Sequence, residues 1–217
     1  MQQITSFWNY FKKNEQEIFN ALLLLINYDE VFPQFLKKIF LVSKRMGFII
    51  KVPDANQEKY TLIFTCGGYR KLFAKTIALE EQAPEMELFT AQAFIKPFED
   101  ISEYKNGTDE PIAFHDHEIK ISEMQMALLD YYVATKRLEI NIYIPHYHEL
   151  KDYKDLQSEF IWIVMFIIGE IAYRKHIKDF QLHQIPLEPK GLLPLIELPD
   201  LIEYLYQINS RKKTRML

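Results

Sequence analysis

Residues Phe160–Ile168 form one unbroken apolar run, and it limits what the chain can become. Such a run must be enclosed. It has about half of the roughly 20 residues that cross a bilayer, so protein and not lipid is the expected cover. Polar sequence on both sides places it in the middle of a long buried helix, from about Lys154 to Lys175. A helix apolar all round needs partners on every side. The chain has them: 48% of its 217 residues are hydrophobic, with 16 Phe and 13 Tyr. That excludes a disordered chain. It predicts one domain over residues 1–217 with a continuous core.

Around that helix the hydrophobic period switches. Residues 1–46 read as N-terminal helices. Ser6 caps a short one over Phe7–Phe11, and Asn14 caps a second with Glu17 in the acidic position of a capping box. A third runs from about Pro33 and is ended by Gly47. Residues 47–183 form an α/β core. Phe48–Val52 and Tyr60–Thr65 make a hairpin across the polar loop 53–58. Cys66-Gly67-Gly68 then turns into a helix near 72–80, and Leu88–Ile95 is a further strand. Residues 98–111 read as a loop, and Ala113–Ile121 as a strand. Met124–Ala134 mixes helix and strand signals and is assigned to strand, because the alternating Leu138, Ile140, Ile142 and Ile144 follow directly. Ile177–His183 is a last strand. Residues 184–217 are a proline-rich extension, a short helix over Asp200–Ile208 and a frayed basic tail. Hairpins mixed with helices predict an α+β fold, with a mainly antiparallel sheet packed against the long buried helix.

Composition removes several functions. The net charge of −4 argues against nucleic acid and anionic membranes as partners. Four cations within Arg211–Arg215 read as a solvated end of an acidic chain. Cys66 is the only cysteine, so no disulfide or multi-cysteine zinc site forms within one chain. The start lacks the basic and apolar regions of a signal peptide, so a cytoplasmic location is expected.

Two histidine pairs carry the best chemistry. His115-Asp116-His117 and His146-Tyr147-His148 are both His-x-His, which on an extended strand sets two imidazoles on one side. With an oxygen from Glu149, Glu118 or Asp116, converging pairs would hold zinc or another first-row metal. Two catalytic candidates stand apart. Cys66 lies where a strand hands over to a helix, as a nucleophile can, although Gly67 and Gly68 are explained by a tight turn. Glu170 shares a face with Phe166 and Ile163, where a carboxylate needs a partner such as Arg174 or takes a raised pKa. Neither has a Gly-x-Ser-x-Gly or Walker pattern around it.

Several short motifs occur in order: Phe7-Trp8-x-Tyr10-Phe11-x3-Glu15, Gly67-Gly68, Ala83-Pro84 and Ala93-Phe94-Ile95-Lys96-Pro97. Leu138-Glu139-Ile140-Asn141-Ile142-Tyr143 and Ile168-Gly169-Glu170 continue the series. Over about residues 7–185 the chain resembles an uncharacterised bacterial family of unknown function. The resemblance implies a small cytosolic domain and transfers no catalytic residue. In that family the turn position held here by Cys66 is commonly acidic or small polar, and the His-x-His pairs are not among its motifs. The expectation is a non-enzymatic binding or protein-interaction domain without cofactor. Its partner would be another protein or a second copy, engaged through exposed aromatic surface; Phe7, Trp8, Tyr10 and Phe11 could form a partner-binding helix, but such a helix more often covers a sheet. The alternative is a metal-dependent hydrolase with His115, His117, His146 and His148 as ligands.

Overall fold

A computed structural model describes residues 2–53 and 57–214, with side chains up to Asn209. The protein is an α+β fold with mostly antiparallel sheets. Its contacts group into two compact units, Met1–Ile95 and Lys96–Leu217. Each has its own buried cluster, where the sequence suggested one continuous core.

The first unit opens with α1 (Gln2–Lys13), α2 (Glu15–Leu24) and α3 (Tyr28–Val42). Helix α1 buries Ile4, Phe7, Trp8 and Phe11, the i, i+3, i+4, i+7 stripe of a helix with one covered face. It starts before Ser6, which therefore lies inside it. Asn14 does stand at the start of α2, but its side-chain amide donates back to the Tyr10 carbonyl at 2.7 Å and caps nothing. Pro33 lies inside α3, and Gly47 opens a strand instead of ending that helix. Strand β1 (Gly47–Lys51) pairs antiparallel with β2 (Tyr60–Thr65), as the hairpin reading requires. Residues 54–56 of its loop lie outside the described residues. After Gly67 and Gly68, both at positive φ, α4 (Phe73–Glu81) carries the chain to β3 (Phe89–Ala93), parallel to β2.

Aromatic rings fill this core edge to face. Trp8 meets Phe64 at 5.6 Å and 89°, and Phe11 meets Phe89 at 5.4 Å and 82°. The Trp8 indole N–H donates to the Leu79 carbonyl at 2.9 Å, so even its polar atom is satisfied inside. Phe7, Trp8 and Phe11 are thus core residues that cover the sheet, the commoner of the two readings the sequence allows, and not an exposed partner surface.

The second unit begins with α5 (Ser102–Asn106), inside the stretch read as loop, and Gly107 ends it at φ 71°. Strands β4 (Ile112–Phe114) and β5 (His117–Ile119) form a two-stranded hairpin where one strand was expected. Then come β6 (Gln125–Tyr132), β7 (Arg137–Ile144), α6 (Tyr147–Leu150), α7 (Leu156–Ile168), α8 (Glu170–His176), β8 (Ile177–Gln184), β9 (Leu193–Pro194) and α9 (Leu198–Thr214). The main sheet runs β8-β7-β6-β9, with only β7 and β8 parallel. Leu138, Ile140, Ile142 and Ile144 of β7 are all fully buried, in one cluster with Phe160, Val164 and Ile167 of α7. Burying each such side chain contributes roughly 1.5–3 kcal/mol relative to exposure.

The expected single long helix is two. Gly169, at φ 83° and ψ 147°, separates α7 from α8, and their axes differ by 105°. Among the described residues no single helix is long and apolar enough to cross a membrane. Helix α9 is longer than expected at both ends, and Arg215–Leu217 of the basic tail lie outside the described residues.

Candidate metal centre

Both histidine pairs belong to the second unit, and in both the backbone turns within the motif. The β4–β5 hairpin reverses on His115 and Asp116, with Phe114 opposite His117. His115 takes φ 53°, a left-handed conformation that residues with a Cβ seldom adopt. His115 and His117 therefore do not share one side of an extended strand. His117 opens β5, just past the turn.

The second pair departs from strand geometry in its own way. His146 follows Pro145 at φ 56° and stands just before α6, and His148 lies within the helical turn. Residues two apart on a helix point roughly 200° apart, whereas residues three apart share a side. His146 is thus matched with Glu149 and not with His148.

One histidine from each pair meets at Glu149. His117 Nε2 lies 3.2 Å from Glu149 Oε2, and His146 Nδ1 lies 3.5 Å from the same oxygen. The two imidazoles face each other with centroids 5.1 Å apart and planes 23° from parallel. All three donor atoms lie within 4.8 Å of one another. Donors bound about 2.05 Å from a tetrahedral zinc stand about 3.4 Å apart. Two of the three edges already match that spacing, so the imidazole nitrogens need only close on each other. Two neutral imidazoles and one carboxylate suit zinc and its first-row neighbours, and three protein ligands leave a coordination position open.

The other named residues lie outside this cluster. The His115 ring stacks on Tyr153 at 3.7 Å and 10°. The His148 backbone N–H donates to Gln184 Oε1 at 3.3 Å, and its ring stands 6.2 Å from that of Tyr147. Cys66 is buried in the core of the first unit, at the turn its glycines allow. Glu170 is fully buried at the start of α8.

Two further carboxylates make contacts that sequence reasoning did not foresee. Glu15 reaches across the first unit and accepts backbone N–H groups of Glu87, Leu88 and Phe89 at 3.3, 2.7 and 3.3 Å. Asp109 is buried, and its Oδ2 accepts the Ser122 N–H at 3.2 Å. Beside it, burial pushes the Tyr104 hydroxyl up to about 12, with the charge of Glu103 adding to the effect. No local pattern announces these contacts, since the partners lie far along the chain.

Comparison with known proteins finds no family model, no curated protein and no solved structure that matches this chain.

Proposed function

We propose that the protein is a cytosolic metal-binding protein that takes one zinc-class divalent ion on His117, His146 and Glu149. The observation that carries this reading is the convergence of two histidines, far apart in sequence, on one carboxylate oxygen at close to ligand spacing. Without an ion the two ring nitrogens stand 3.2 and 3.5 Å from one carboxylate oxygen. With one, the ring lone pairs and the carboxylate face the same positive charge.

Titration calorimetry on untagged protein, with metal content measured after dialysis, tests this. One zinc per chain is expected. His117→Ala and Glu149→Ala each lower affinity by at least about tenfold, since even residues behind the ligands matter by that factor. Sub-stoichiometric metal in the unaltered protein, or equal affinity in the variants, overturns the reading.

A second reading rests on the open coordination position. A zinc-bound water there is the nucleophile of metal-dependent hydrolysis. Zinc-dependent cleavage of an activated ester that disappears in His117→Ala supports that role, and cleavage unaffected by zinc removes it.

A further inference from the structure

The acidic balance of the chain hides a surface of the opposite sign. From Val31 to Pro53 and from Lys59 to Leu79 the sequence holds no Asp or Glu. Lys37, Lys38, Lys44, Arg45 and Lys51 fall in the first stretch, and Lys59, Arg70, Lys71 and Lys75 in the second. The first unit folds the two stretches together, because Gly47 of β1 pairs with Thr65 of β2. At that end of the sheet the Arg45 guanidinium lies 4.6 Å over the Tyr69 ring. Lys75 Nζ donates to the Val42 carbonyl at 3.1 Å, which ties α4 to the end of α3. Lys44, Arg45, Arg70, Lys71 and Lys75 are exposed there. Among the described residues none of these five pairs with a carboxylate.

Apolar side chains stand exposed beside these cations. Phe40 and Leu41, in the last turn of α3, are 45% and 51% exposed, and Ile77 of α4 is 41% exposed. Lys37, Phe40 and Leu41 occupy positions i, i+3 and i+4, one side of the helix. We propose that this end of the first unit docks on an anionic lipid surface. Cations meet the headgroups, and the apolar side chains enter the boundary between headgroups and acyl chains, a combination that a purely charged partner would not use. The net charge of −4, which speaks against such a surface, is an average over both units. Attraction to a membrane decays within a Debye length of about 10 Å, so the nearest charges decide it. The contact is peripheral and reversible, and it uses no residue of the candidate metal centre.

Co-sedimentation of the full chain, in chelator, with vesicles of phosphatidylcholine alone or mixed in equal parts with phosphatidylserine tests this. Binding is expected on the mixed vesicles only, and it weakens as salt is raised. A basic residue beside an anionic surface strengthens binding about fivefold, so joint exchange of Lys44→Gln and Lys71→Gln lowers partitioning about 25-fold. Joint exchange of Phe40→Ser and Leu41→Ser lowers it at least about tenfold, through lost apolar burial. Both variants keep the urea midpoint of the unaltered protein, since the exchanged side chains are exposed. Lys105→Gln, an exposed cation of the second unit, leaves partitioning unchanged.

No binding to the mixed vesicles, equal binding to both kinds, or indifference to the double lysine exchange overturns the proposal. Full vesicle binding by the Phe40→Ser, Leu41→Ser variant overturns the lipid assignment as well. An oligonucleotide or poly-glutamate bound by that variant as tightly as the vesicles then makes the patch a site for soluble polyanions.

Discussion

One histidine ties stability to pH. Burial holds His176 below the usual histidine value, with the neighbouring Lys175 and Lys136 charges acting the same way. The folded state therefore takes up its proton later than the unfolded chain does. The stability from His176 is full above the unfolded value near 6.5 and is lost as pH falls toward and through the depressed folded value. Urea unfolding at pH 7.5 and 5.5 is expected to show less acid sensitivity in His176→Gln than in the unaltered protein. The donor groups of the candidate metal centre were legible as residue types, Glu149 among them. Their grouping was not. Strand logic pairs His115 with His117 and His146 with His148, but His115 and His146 both adopt positive φ, which sequence rules reserve for glycine and asparagine.

Elements whose period was unbroken were legible. Strand β7 alternates strictly along its length, because it buries one regular face. Where one residue redirects the backbone, the reading failed. Gly169 divides the apolar helix because its φ of 83° with ψ of 147° is a conformation open almost only to glycine. Hydrophobicity runs straight through that point and gives no warning. Gly169→Ala is expected to cost about 1–3 kcal/mol in urea unfolding, the usual strain of such a backbone position; an unchanged midpoint contradicts the strained geometry. Glu15 supports the entry to β3 in the first unit through three backbone N–H groups. Glu15→Ala leaves them without that acceptor and is expected to cost about 1–3 kcal/mol. Glu15→Gln, which keeps one oxygen, should cost less. Equal losses from the two variants would point to packing instead.

At the scale of the molecule, composition forecast enough apolar material for a core, and the chain divides it between two. Aromatic rings fill one cluster and aliphatic side chains dominate the other, a partition that percentages over the whole chain average away. On the proposed metal reading, zinc held by the second unit stabilises its folded state by mass action, by about 2.7 kcal/mol at a free concentration 100 times the dissociation constant. Hydrogen exchange with and without zinc checks this: added protection is expected in residues 112–119 and 145–150, and uniform or absent protection counts against the site. The strand order of each unit also carries a consequence for kinetics. The β1–β2 and β6–β7 hairpins join neighbours in sequence, whereas β3 reaches β2 only after residues 66–88, and β8 reaches β7 only after residues 145–176. Loop closure makes such distant pairing entropically late. Each unit should therefore nucleate at its hairpin and complete its sheet in a slower step, when the intervening helices have condensed and bring the parallel strand home.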